Sequence, residues 1–254
     1  MKKPSGSAHL STASQGTKAK GLRFERPLVT VDVVMFSISA EQLSVLLVKR
    51  PDAEPEPYPG RWALPGGFVD VTQDATLQDC AMRKLHVKTG VDAPYLEQLG
   101  SWGGATRDPR GWSCTHAYFA LMAAPAISAK DEGSSPSEWV PVETALRRRL
   151  AFDHNAILEA AVERLRSKVE YTSLPAFLLP VPFTLPQLQR SYETVLGRAL
   201  DKSAFRKRML DADYLEEAGM LTTDQGRPAM GYRVRNRERA VVFPRGFKSG
   251  EAPG

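Results

Sequence analysis

Two β-branched apolar runs, Val29-Thr30-Val31-Asp32-Val33-Val34-Met35-Phe36 and Leu43-Ser44-Val45-Leu46-Leu47-Val48, are split by Ser37–Gln42 and predict an antiparallel strand pair. Pro51–Pro59 carries four prolines and reads as a loop. Trp62-Ala63-Leu64 follows as a short strand that ends at Pro65-Gly66-Gly67, where glycine lets backbone turn sharply or approach a ligand. The pattern then changes period. Leu77, Ala81 and Leu85 fall at i, i+4 and i+8, the core stripe of a helix capped by Thr76 or Asp74 and stopped at Gly90. Leu96–Trp102 and Thr115–Met122 read as strands, and Trp139–Val142 with Glu143–Leu150 closes a first domain. Asp153 is a fitting N-cap for a long helix to about Glu170, with Ile157, Ala161 and Leu165 on one face. That helix reads as a connector, its apolar stripe packing on one domain or on a second subunit.

A second domain follows the connector. Thr184 and Pro186 start a helix carrying Leu188, Tyr192, Val195 and Leu196 up to Gly197, and Asp201 caps another over Lys202–Leu210. Phe205 and Met209 anchor this second helix, which leaves Ser203, Arg206 and Lys207 pointing outward. Two helices joined by a tight turn, the second basic outward, form a helix-turn-helix pattern whose recognition helix enters a major groove. Tyr214–Leu221, Thr222–Met230 and Tyr232–Arg235 then read as strand, turn and strand, a wing with Arg227 at its tip, within reach of phosphate or the minor groove. The boundaries that result are a basic tail over 1–26, a first domain over 27–150, a connector over 151–172, a winged helix-turn-helix over 173–240 and a flexible tail over 241–254.

Composition and charge sharpen this picture. The 254 residues, 42% hydrophobic, suit two domains. The longest aliphatic run, Val45–Val48, is far short of the roughly 18 apolar residues of a membrane span, and residues 1–26 have no apolar core of a secretory signal. Cys80 and Cys114 have no metal-ligand spacing and suit a reducing cytoplasm. The net charge of +5 is concentrated at the two ends, with an acidic middle, as expected where nucleic-acid binding is confined to part of a chain.

The most specific stretch is Trp62-Ala63-Leu64-Pro65-Gly66-Gly67-Phe68-Val69-Asp70, which resembles the opening of a Nudix box, the loop–helix–loop that brings a diphosphate to a metal-binding helix. The consensus continues with glutamates on one helical face. Here the run is Arg83-Lys84-Leu85-His86-Val87-Lys88-Thr89-Gly90-Val91, so the three metal-facing positions read Lys84, Val87 and Lys88. Gly67 and Arg83 also stand two residues further apart than the family pattern, and Asp70, Asp74 and Asp79 are off the catalytic spacing. Hard cations want several oxygen ligands, whereas lysines at i and i+4 repel a cation and either face an anion or solvate an exposed helix. The loop Gly103–Trp112, with Arg107, Arg110 and Trp112, is suited to gripping phosphate and stacking a base, or else is a solvated hairpin connection.

With the run Arg148-Arg149-Leu150-Ala151-Phe152-Asp153-His154, the segment Phe183–Gln189 and the segment Leu200–Arg208, the chain resembles the Nudix-related transcriptional regulators of NAD metabolism, the NrtR family, over about residues 28–236. The resemblance implies an α+β chain: an N-terminal Nudix-like α/β/α sandwich with a mixed sheet, a connecting helix and a C-terminal winged helix-turn-helix. It implies a homodimer that binds double-stranded operator DNA near NAD biosynthesis or salvage genes and releases it on binding ADP-ribose or a related nucleotide. No cofactor is expected, and Lys84, Val87 and Lys88 at the metal-facing positions point to neither a bound metal nor catalysis, as the short apolar runs point to no membrane. The implied ligand surface is Gly66, Gly67, Phe68, Lys84 and Lys88. Arg107, Arg110 and Trp112 join it on physical grounds, and Arg50 and Arg61 flank the same strand ends. The implied DNA surface is Lys202, Ser203, Arg206, Lys207 and Arg227. The competing class is a Nudix hydrolase acting on ADP-ribose or another nucleoside diphosphate derivative, and a third is an RNA- or protein-binding adaptor. If the two lysines meet the ligand, Lys84→Ala and Lys88→Ala each weaken nucleotide binding in a calorimetric titration; unchanged affinity in both returns them to a solvated face.

Overall fold

The predicted strand pair forms. β1 (Leu28–Ser39) and β2 (Gln42–Lys49) run antiparallel, Phe36 opposite Val45 and Ser39 opposite Gln42. Their turn is only Ala40-Glu41, with φ of 48° and 60°, the left-handed geometry a two-residue hairpin demands. Neither residue is a glycine or asparagine, so nothing in the chain advertises so short a turn. The computed structural model describes residues 26–89, 95–123, 136–222, 228–237 and 239–247, with backbone only at 88 and 89.

Around β1 a mixed sheet assembles in the order β3 (Trp62–Ala63), β2, β1, β6 (Ser113–Leu121), β5 (Tyr95–Gly104). β1 and β6 are parallel, in register from Leu28 opposite Ser113 to Phe36 opposite Leu121, and β5 and β6 form a hairpin. Two segments differ from expectation. Gly66–Phe68, read as a turn, is a strand, β4, laid antiparallel on β1. Trp139, read as the edge of the domain, lies in β7 (Ser137–Pro141), which pairs with β2 inside the sheet.

Strand alternation divides the core in two. Val31, Val33 and Met35 face α1 (Leu77–Thr89), which buries Cys80, Ala81 and Leu85 against them. Thr76 caps that helix, exchanging hydrogen bonds with Asp79, while Asp74 is engaged by Arg83 instead. The alternate residues Val34 and Phe36 face α3 (His154–Val169), which follows a short α2 (Val142–Arg147) and buries Ile157, Leu158, Ala161, Val162 and Leu165. The stripe of the connector therefore packs on this chain's own sheet and on the second domain.

That domain begins with a 3-10 turn at Leu174–Leu178 and holds α4 (Leu185–Leu196), α5 (Lys202–Asp211), β9 (Leu215–Thr222) and β10 (Pro228–Val234). A short strand missed in the sequence, β8 (Phe183–Thr184), completes a three-stranded sheet in the order β8-β10-β9. Thr184 starts α4 with a reciprocal capping box to Gln187, Gly197 ends it at φ 70°, and the Asp201 side chain accepts from Ala204 N–H to start α5. Each was legible as a stop or start signal. One apolar cluster runs from Phe36 and Phe119 of the large sheet through α3 to Tyr192, Phe205 and Met209 of the second domain.

The expected flexible tail from residue 241 is corrected over its first seven residues. Ser173 N–H donates to Val241 O, and the Ser173 hydroxyl accepts from Val241 N–H. Phe243 N–H donates to Tyr171 O, Phe247 N–H donates to Glu170 O, and Phe243 is 5% exposed. Two aromatic side chains hold the segment: Phe247 stacks on Phe205, and Phe243 sits edge-on to Tyr214. Among the described residues no helix is long and apolar enough to cross a membrane. Thr184→Ala, which removes the capping hydroxyl, is expected to lower the free energy of urea unfolding by about 1 kcal/mol, with Thr184→Ser restoring most of it.

Candidate functional site

Because β1 alternates, Asp32 points to the same side as Val34 and Phe36, toward the first turn of α3. There, beyond the end of the apolar core, a cleft of about 260 Å3 opens between the sheet and three loops. Its floor is built from Asp32, Arg107 and His154. His154 is 3% exposed and its Nδ1 accepts from Leu64 N–H at 2.9 Å, so the ring hydrogen sits on Nε2, 3.6 Å from Asp32 Oδ2. Arg107 forks onto Asp153 with bonds of 3.0 and 2.8 Å and stands 3.7 Å from Asp32. Asp153 holds the N-cap position of α3 as predicted, but its side chain makes no capping bond because Arg107 occupies it.

Burial works against the charge on Asp32, but His154 and Arg107 more than offset it and hold the carboxyl below its ordinary value. For Arg107 burial opposes the charge too, and Asp153 and Asp32 outweigh it, raising the guanidinium above its ordinary range. The rim is cationic and aromatic. Arg110 forks onto Asp108 at 3.0 and 2.8 Å and lies 4.9 Å above the exposed ring of Phe68. Arg50 donates to Pro57 O and Glu56 and lies 5.0 Å above Phe152. Each fork now grips a carboxylate or carbonyl, and a planar guanidinium takes phosphate oxygens in the same geometry.

Gly66 is sterically required, since a Cβ there would come within 2.1 Å of Asp32 Oδ1. Gly67 has φ 147°, and the Lys84 ammonium crosses over it, 2.9 Å from where its Cβ would be. The metal-binding set of a Nudix box does not fit these residues. Lys84, Val87 and Lys88 occupy the expected positions on α1, Asp74 is bound by Arg83, Asp79 caps the helix, and Asp70 accepts from Thr72 and Gln73. Among the described residues no three His, Cys, Asp or Glu side chains gather to hold an ion.

Of the ligand residues named from the sequence, Arg50, Gly66, Gly67, Phe68, Arg107 and Arg110 converge on the cleft. Lys84 reaches β4 without lining the cleft, Arg61 lies 5.4 Å over Tyr58 outside it, and Trp112 is 52% exposed on the hairpin away from it. The Lys88 side chain lies outside the described residues. Arg107 differs in kind from the expectation, being a buried structural cation rather than a free one. Asp32, Asp108, Phe152 and His154 were missed. A lone carboxylate in an apolar strand was the available signal for Asp32, since an unpaired acid is rarely buried.

On the second domain, Lys202, Ser203, Arg206 and Lys207 are all exposed along α5, while Phe205 and Met209 are buried beneath. The one basic residue of α5 that turns inward is Arg208, which lies over Phe243 and Phe247 at 4.6 and 3.9 Å and donates to Glu170 O. Arg227 lies outside the described residues.

A Nudix fold with helices on both faces of its sheet and a cleft rimmed by arginines, joined through one helix to a winged helix-turn-helix with a basic outer face, defines a ligand-sensing domain coupled to a DNA-binding one. Residues 27–161 match the NUDIX domain family and residues 175–234 the NrtR DNA-binding winged helix domain. The chain belongs to the NrtR family. It is 47% identical over 222 residues, 87% of this chain and 88% of the relative, to the ADPR responsive transcriptional repressor NtrR of Acinetobacter baylyi. Its structure superposes on Shewanella oneidensis NrtR complexed with a 27mer DNA, with 42% identity, TM-score 0.79, and coverage of 87% and 99% of the two chains. It also superposes on the NUDIX domain of that protein complexed with ADP ribose, with 43% identity, TM-score 0.53, and coverage of 58% and 94%.

The floor predicts an acid sensitivity. Asp32 and Asp108 are both held below the ordinary 3.8, so each contributes its stability in full above that pH and loses it as the pH falls toward the folded value. The denaturant midpoint is expected to drop most steeply below pH 3.8, and Asp32→Asn to flatten that drop.

Proposed function

We propose that this chain is a transcriptional repressor of NAD biosynthesis or salvage genes, holding operator DNA through its winged helix-turn-helix and releasing it when ADP-ribose or a related nucleotide enters the Nudix cleft. The observation that carries the reading is the union, in one apolar core, of a cleft rimmed by paired guanidinium forks and an exposed basic recognition helix. The Acinetobacter relative is an ADPR responsive repressor, and the Shewanella relative has been crystallised with DNA and, as its NUDIX domain, with ADP ribose. The cleft binds without cutting: with lysine and valine where glutamates would chelate, nothing polarises a phosphoryl group or activates water. Release of AMP from ADP-ribose in the presence of Mg2+ or Mn2+ would overturn that part.

Lys202, Ser203, Arg206 and Lys207 bind the DNA, with Arg227 reaching from the wing. Two copies, acting in the cytoplasm, set their recognition helices about one turn of DNA, ~34 Å, apart. The nucleotide favours another spacing. Reciprocity then requires operator DNA to weaken nucleotide binding by the factor by which the nucleotide weakens DNA binding. In a gel-shift titration ADP-ribose is expected to displace a selected operator fragment. Lys202→Ala and Arg206→Ala should weaken DNA binding, each reducing the salt slope by about 1 if its side chain neutralises one phosphate, while nucleotide affinity stays unchanged. Operator binding no tighter than random duplex at matched salt would refute the reading.

A further inference from the structure

The floor of the cleft differs in chemistry from its rim. At the rim, Arg50 and Arg110 hold carboxylates and a carbonyl in the geometry that would take phosphate oxygens. At the floor, Asp32 is an anion itself, its side chain only 8% exposed, with His154 Nε2 at 3.6 Å and Arg107 Nη2 at 3.7 Å from its Oδ2. Both separations are longer than a hydrogen bond, and with the Thr115 hydroxyl these are the polar groups that favour its charge, so the carboxylate keeps room for a further donor. Gly66 keeps room for it, since any side chain there would strike Oδ1.

His154 defines what completes the set. Its Nδ1 is committed to Leu64 N–H, which leaves the Nε2 hydrogen directed at Asp32. An acceptor and a donor facing each other slightly beyond bonding distance fit a group that both donates and accepts, and a hydroxyl is that group. A phosphate is not: it brings charge of the same sign as Asp32 and no proton to offer.

The size of the cleft says how much of a nucleotide enters. At about 260 Å3 it is smaller than the pockets of roughly 300–1,000 Å3 that enclose a whole drug-sized ligand, so one end goes in. The base has a platform outside, because the Phe68 ring is 43% exposed at the mouth. The sugar end is the one whose chemistry matches the floor.

Resting on the effector reading above, we propose that Asp32 and His154 form a subsite for the hydroxyls of the non-adenosine ribose, with the diphosphate under Arg50 and Arg110 at the rim. Asp32 thereby sets specificity, admitting a nucleoside diphosphate that ends in a free sugar over one that ends in phosphate. The vicinal hydroxyls of a ribose can give both their hydrogens to its two oxygens.

The test titrates the full chain with ADP-ribose and with ADP, in wild type and in Asp32→Asn. Wild type is expected to prefer ADP-ribose by about tenfold or more, the loss expected from leaving a charged hydrogen-bonding group unmet. Asp32→Asn should remove most of that preference, weakening ADP-ribose and strengthening ADP, because its amide keeps the shape but not the charge that repels a terminal phosphate. Wild type binding ADP as tightly as ADP-ribose overturns the subsite without recourse to any variant, as does an Asp32→Asn chain that loses both ligands equally. If wild type binds neither nucleotide, the effector reading itself fails, and the subsite with it.

Discussion

The seating of the first turn of α3 against the sheet is the interaction on which the rest of the molecule depends. Two side-chain contacts make it: Leu64 N–H to His154 Nδ1, and the two-bonded fork of Arg107 onto Asp153. Both partners of α3 come from elements that also build the cleft, Leu64 from the approach to β4 and Arg107 from the β5–β6 hairpin. The cleft floor and the helix origin are therefore one structure. Arg107 is only 7% exposed, and losing a partner of so buried a cation costs several kcal/mol, of order 3–5, more than most single interactions contribute. The arrangement is accordingly stiff, and Asp153 gives up its capping bond to maintain it.

A separate ion pair keeps order at the box itself. In this chain side chains and backbone share the loop before α1: Arg83 forks onto Asp74, whose carboxylate also takes Asp70 N–H, and the N–H groups of Gln73 and Asp74 donate to Asp70 O. Arg83 is the main cause that drives the Asp74 carboxyl far below its ordinary range. The extra two residues of the loop are absorbed in Val71–Asp74, where Asp70 accepts from Thr72 and Gln73. The ion pair that orders this loop requires no bound cation.

The elements whose signals are local could be read from residues alone. Thr184 with Gln187, Gly197 and Asp201 specify their own positions, because caps are made within four residues of where they act. The β-branched runs of β1 and β2 specified a pair for the same reason. What was not legible depends on partners distant in sequence. β4 and β7 are strands because β1 and β2 have free edges to offer them, not because Gly66–Phe68 or Trp139–Pro141 have strand character. The order at 241–247 depends on Tyr192, Phe205 and Arg208 presenting aromatic and cationic surface to Phe243 and Phe247. In the cleft, arginines could be named from their loop, but the carboxylate partners of Arg107, Asp32 and Asp153, lie 75 and 46 positions away in sequence, and only folding reveals which guanidinium is buried.

α3 spans 16 residues, about 24 Å, and its far end is tied to the DNA-binding domain as firmly as its origin is tied to the cleft. Glu170, just past that end, receives Arg198 through both carboxylate oxygens, and its carbonyl receives Arg208 of α5 and the N–H of Phe247. Close packing along the helix leaves no slack in which a displacement of one end would be absorbed. A ligand shifts such a system only by binding its two geometries unequally. That inequality can arise only at atoms that move with the helix, which in the cleft are Phe152 and His154, with Asp153 reached through Arg107. Arg50 and Arg110 belong to loops of the sheet, so a nucleotide gripping them alone would fill the rim and leave α3 seated. On the proposed mechanism, release of DNA therefore requires the part of the ligand that reaches the floor.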